Sequence, residues 1–133
     1  ADRLEILKEV SCFQIYITNN EVKSFDKEKK INFITDIAKK LNETVNVNQV
    51  DLNIPAESIK TKFINLLNDR MEEYSELEYS DEPSYKAGII LGNHLMTHMG
   101  ELDNNWIRMY VIDQEIPKIL LSLRRPINSL VNK

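Results

Sequence analysis

Ser84-Tyr85-Lys86-Ala87-Gly88-Ile89-Ile90-Leu91-Gly92-Asn93-His94-Leu95-Met96-Thr97-His98-Met99-Gly100 holds all three glycines and both histidines of the 133-residue chain. Wound at 3.6 residues per turn, its apolar residues reach almost every face, and Lys86 is its only formal charge. A helix that is apolar nearly all round belongs in the middle of a bundle. The stretch therefore predicts a central helix over 84–99, too short and too interrupted by Gly, Asn and His to cross a bilayer. Ser84, Gly88 and Gly92 recur at every fourth position and form one small-residue stripe. Each glycine costs roughly 1 kcal/mol against alanine in a helix interior, so the pair implies close approach by a neighbouring element. Pro83 and Ser84 supply a helix start, and Gly100 a C′ residue.

The segments around it read mostly as further helices. Leu4, Ile6, Leu7 and Val10 have helical spacing, continued by Phe13 and Ile17. The alternation of Phe13, Ile15 and Ile17 offers a strand as the competing reading. Thr18-Asn19-Asn20 reads as a break. Ser24 or Asp26 caps a second helix running to about Asn42, with Ile31, Ile34, Ile37, Ala38 and Leu41 on its inner face. Thr44 to Ile54 alternates apolar and polar residues, which predicts a short strand or an extended connector over 44–54. Pro55 opens a third helix through Phe63, Leu66, Leu67, Met71 and Tyr74, and a short turn makes it an antiparallel neighbour of the central helix. A segment around Trp106, Ile107, Tyr110 and Val111 follows. The last helix starts at Pro117, and Pro126 ends or kinks it.

A content of 42% apolar and 29% charged residues is that of an ordinary soluble globular protein, here one all-α, or mostly α, domain over 1–133 with five or six helices. The single cysteine, Cys12, has no internal disulfide partner, which points to a reducing compartment, the cytoplasm. A net charge of −4 argues against general nucleic-acid binding, which needs a basic footprint. The charge is unevenly spread. Asp69, Glu72, Glu73, Glu76, Glu78, Asp81 and Glu82 are opposed in their stretch only by Arg70, whereas Lys118, Arg124, Arg125 and Lys133 end the chain without an acidic residue.

Two constellations could carry chemistry. His94 and His98 are four apart and share a helix face, where Asp69 is the carboxylate placed to complete a divalent-metal site. No other cofactor is expected. Glu72, Glu73 and Glu76 lie on successive turns, a spacing that holds Mg²⁺ beside a phosphate. Glu73 and Glu76 resemble the first of the two short acidic pairs of the all-α nucleoside-triphosphate pyrophosphohydrolases, and that resemblance implies a metal-dependent hydrolase. The second pair departs from the family: Asp103 follows Glu101 too closely, and Asn104 stands where the family has Asp. Neither constellation passes the geometric tests of a site, while the one-sided charge is the strongest surface signal. The expected function is therefore non-enzymatic binding of another macromolecule, as a small regulator, adaptor, immunity-type inhibitor or complex subunit. Glu72, Glu73, Tyr74, Glu76, Tyr79 and Glu82 would form an acidic, tyrosine-bearing face for a protein with a basic surface. Arg124 and Arg125 could meet that face in a second copy and make a homodimer.

Overall fold

The computed structural model describes residues 3–54, 62–98 and 109–131. These form an all-α fold of α1 (Arg3–Glu21), α2 (Lys27–Asp51), α3 (Phe63–Ser75), α4 (Tyr85–Met96) and α5 (Ile116–Val131), the last entered through a π-helical turn at Val111–Glu115. Among the described residues no helix is long and apolar enough to cross a membrane.

The helix at the centre is α1, not α4. It packs against each of the other four helices, and Cys12, Phe13 and Ile17 are 0% exposed. Its faces serve two clusters. Phe13, Tyr16 and Ile17 meet Tyr74 of α3, Leu91 and Leu95 of α4, and Leu120 of α5. Leu4, Cys12 and Ile15 meet Val45 of α2 and Phe63, Leu66 and Leu67 of α3. Met71 packs against both clusters and joins them. In contrast, α4 buries a single stripe, Ala87, Gly88, Leu91, Gly92 and Leu95, and leaves Tyr85 68% exposed. Helices α3 and α4 do not form the expected hairpin packed along its length: each lies on α1, and they touch where His94 meets Glu73.

The strand predicted over 44–54 is helical, and in the first segment the helical reading holds over its strand alternative. Cys12–Ile17 belongs to α1, which also runs through Thr18-Asn19-Asn20, where Thr18 Oγ1 and Asn20 Nδ2 donate to the carbonyls of Gln14 and Tyr16, one turn back. The second helix starts as expected, with Asp26 accepting from the Lys29 N–H at 2.8 Å. It then continues past Asn42 to Asp51, so 44–54 is no extended connector. Helical spacing puts Leu41 and Val45 inward, while Val47 is 58% and Val50 72% exposed, which a half-buried strand would not allow. The stop is a Schellman turn. Asn53 takes φ 54°, its N–H bonds to Val50 at 3.0 Å, and the Ile54 N–H reaches back to Gln49 at 3.0 Å. The proposed start of α3 at Pro55 lies outside the described residues, as does Gly100.

Close approach is real at Gly88, although side chains rather than backbone make it. A Cβ there would sit 2.9 Å from Ile112 Cγ1 and 3.1 Å from Ile116 Cδ1. Ile112 lies in the π turn, where the Ile116 N–H bonds to the Val111 carbonyl five residues back. Pro117 explains the wider turn: its ring would strike a carbonyl four residues earlier and it has no N–H to donate. Gly88→Ala therefore gains about 1 kcal/mol of helix propensity and loses about 1–3 to overpacking. The expected net result is a loss of about 1 kcal/mol, read as a melting midpoint lower by roughly 4 °C; a midpoint that rises would show the contact to be slack. Pro126 does not end α5, which runs on to Val131. Both Pro126 and Ser122, whose carbonyl loses its helical donor, face water.

Candidate functional site

Three charged residues of α1, Glu5, Lys8 and Glu9, are buried with it. Lys8 Nζ donates to both Glu5 oxygens at 2.9 and 3.2 Å. Arg70 of α3 grips Glu9 as a fork, Nη2 to Oε1 at 2.7 Å and Nε to Oε2 at 2.8 Å, the bidentate geometry that guanidinium and carboxylate favour. The bond to Glu9 pushes the Arg70 guanidinium further above its ordinary pKa. Arg70 Nη1 also lies 3.4 Å from Glu73 Oε2. His94 of α4 then brings Nε2 to 3.1 and 3.2 Å from the two Glu73 oxygens. A carboxylate only accepts, so Nε2 is the protonated ring nitrogen. The series Glu9–Arg70–Glu73–His94 thus ties α1, α3 and α4 together from the interior to the surface.

This arrangement redistributes the residues expected at a site. His94 meets Glu73, one turn along α3 from Asp69, which is exposed. Among the described residues no group of three or more His, Cys, Asp or Glu side chains is arranged to hold a metal ion, so Asp69, His94 and His98 do not assemble into the expected site. The residues Glu101, Asp103 and Asn104 lie outside the described residues. On the acidic face, Glu72, Glu76 and Glu82 are exposed, while Glu73 is half-buried in the ion-pair series. Tyr74 does not belong to that face. It is 0% exposed and stacks on Tyr16 with ring centroids 4.8 Å apart. Tyr79 is half-buried beside the ion pair between Arg124 Nε and Glu21 Oε1. Burial raises its pKa, and the Glu21 carboxylate adds to the rise. Arg124 is thereby committed to its own chain, and Arg125 alone of the two arginines is exposed.

Two features were not read from the sequence. The buried charges of α1 lie at positions whose chemistry suggests a wet face, and only the spacing of Glu5 and Lys8, three apart on one helix, hints at mutual neutralisation. The partners Glu9 and Arg70 are 61 residues apart, beyond any local pattern.

Cys12 is an inert packed thiol. Burial, with the Glu9 carboxylate adding to it, pushes it from 9.0 up to about 12. Burial also raises Tyr16 and, with the Glu9 carboxylate, Tyr74. In each case folding favours the protonated form, so the unfolded chain gives up its proton first as pH rises. The stability these groups contribute is complete below about pH 9 and drains away as pH climbs through the folded values, for Cys12 between 9.0 and about 12. Urea midpoints should stay level to about pH 9 and fall above it. Cys12→Ala should remove the first part of the fall, and a variant profile identical to the parent's would contradict this assignment.

Comparison of the chain with protein-family models, with curated proteins and with solved structures returned no match.

Proposed function

We propose that the protein is a binding module that presents the C-terminal end of α3 and the turn after it to a macromolecule with a basic surface, as a small regulator, adaptor, inhibitor or complex subunit. One observation carries the reading. Arg70, the only base between positions 69 and 82, is turned inward onto Glu9, so Asp69, Glu72, Glu76, Glu78, Asp81 and Glu82 face water with no cation of their own stretch beside them. Local stability does not favour that placement. The last turn of α3 is the negative end of its dipole and carries no basic residue, while Glu72 and Glu76 stand one turn apart as like charges. A run of carboxylates kept where it costs stability is a candidate for an electrostatic docking surface, one that speeds and orients encounter with a cationic partner. The buried free thiol of Cys12 fits a reducing setting such as the cytoplasm. A second copy of the chain is not the partner favoured, because Arg124 already pairs with Glu21.

The test is the double charge reversal Glu72→Lys with Glu76→Lys, measured against lysine-rich peptides by fluorescence anisotropy at low and at physiological salt. Binding should weaken by at least about tenfold and lose most of its salt dependence, while the melting midpoint holds or rises as the dipole clash is relieved, worth about 0.3–1 kcal/mol. The matched reversal of Glu43 and Asp51 on α2 should change little. Equal weakening by both pairs would reduce the acidic end of α3 to general solvation and sink the proposal.

A further inference from the structure

We infer that a half-open groove between the first turns of α1, the C-terminal half of α2 and the start of α3 binds a small apolar carboxylate. The groove has a volume of about 640 Å³, within the range of ligand pockets. Its floor is apolar: Leu4, Val45 and Phe63 contribute to it and are 2%, 5% and 3% exposed, so their packed faces leave only a narrow greasy strip. Its rim is polar, with the amides of Asn46 and Asn65 and the ammonium of Lys62. Among the described residues no carboxylate lines it, in a chain with 21 acidic residues and a net charge of −4. Lys8 forms part of the wall, but Glu5 balances it at 2.9 Å, so among the described lining residues the charge without a carboxylate beside it is that of Lys62.

Those features select the ligand. An apolar floor with one such cation and amide donors at its edge matches a molecule with a hydrocarbon body and a single anionic head. A cation would meet Lys62, and a fully polar anion would leave the floor of the groove unused. The head would lie against Lys62 and Asn65, residues at the start of α3. The N-cap position there is Lys62, which has no acceptor to cap its own helix, so a carboxylate at this point also meets the positive end of the α3 dipole. The body would run inward over Phe63 and Val45 toward Leu4. The groove is separate from the acidic end of α3, so the two assignments stand or fall independently.

Octanoate is the probe, with octylamine and octanol as matched controls, each titrated against the whole protein by calorimetry and by thermal melting. Octanoate should raise the melting midpoint in a saturable way, octylamine should not, and octanol should bind more weakly. Lys62→Glu, at an exposed position, should leave the fold intact and weaken octanoate about tenfold or more. Asn65→Asp, a smaller change at the same rim, should weaken it in the same direction. Val45→Trp, which fills the floor, should abolish binding of both octanoate and octanol. No saturable shift with octanoate, equal shifts with all three compounds, or unchanged octanoate binding by Lys62→Glu would each overturn the inference.

Discussion

Arg70→Ala is expected to remove about 3–5 kcal/mol of stability, because it leaves the Glu9 carboxylate, with a side chain 1% exposed, buried without its counter-charge. That is a large part of the 5–15 kcal/mol that holds a typical domain together. The loss comes from the orphaned charge more than from the attraction of the pair, since burying two ions costs nearly what their contact returns. Two further variants separate those contributions. Arg70→Lys keeps a cation but not the fork, and should fall between parent and alanine. The double variant Glu9→Leu with Arg70→Leu removes both charges at once and should be less destabilised than Arg70→Ala alone. Urea unfolding of the four proteins reads the series. An Arg70→Ala loss under about 1 kcal/mol would mean that the contact behaves like an exposed ion pair.

Phe13→Ala should cost about as much, 3–5 kcal/mol by the usual scale of emptied aromatic sites. Phe13 is 0% exposed and packs edge-on against Tyr74 at 5.4 Å and tilted against Tyr16 at 5.6 Å, so two rings border the space it would leave. The cavity would open in the helix on which the other four rest, with little freedom to collapse. Ile31→Ala on α2, where the side chain is 54% exposed, should cost less than about 1 kcal/mol. Tyr74→Phe makes a second control, since it deletes a buried hydroxyl that has no hydrogen-bond partner among the described residues and keeps the ring. It should leave stability unchanged or raise it by about 1 kcal/mol. Similar losses for Phe13→Ala and Ile31→Ala would remove α1 from the centre of the fold.

The local chemistry of the chain was legible. An all-α fold followed from periodicity and scarce turn residues. Asp26 and Ser84 were readable as N-caps, and both accept the expected backbone N–H, from Lys29 and Ala87. The strand reading of 44–54 failed because the alternation breaks between Val47 and Val50, and the inward positions Leu41 and Val45 are one helical turn apart while Val47 and Val50 are exposed. The αL stop at Asn53 was the local signal that a helix reached that far.

Position in space was not legible in the same way. Residues 84–99 look central because their composition is apolar on every side, yet α4 shows a stripe inward and Tyr85 outward. Residues 3–21 look half wet because Glu5, Lys8 and Glu9 interrupt the apolar pattern, yet α1 occupies the middle. Composition records the cost of burying a group on its own. Whether that cost is met depends on what arrives from elsewhere: Arg70 for Glu9, Glu21 for Arg124, Glu73 for His94. Helix type is settled within a few turns of chain, and so the residues alone determined it; centre, surface and site depend on partners up to 103 residues away, and only the packed structure decided them.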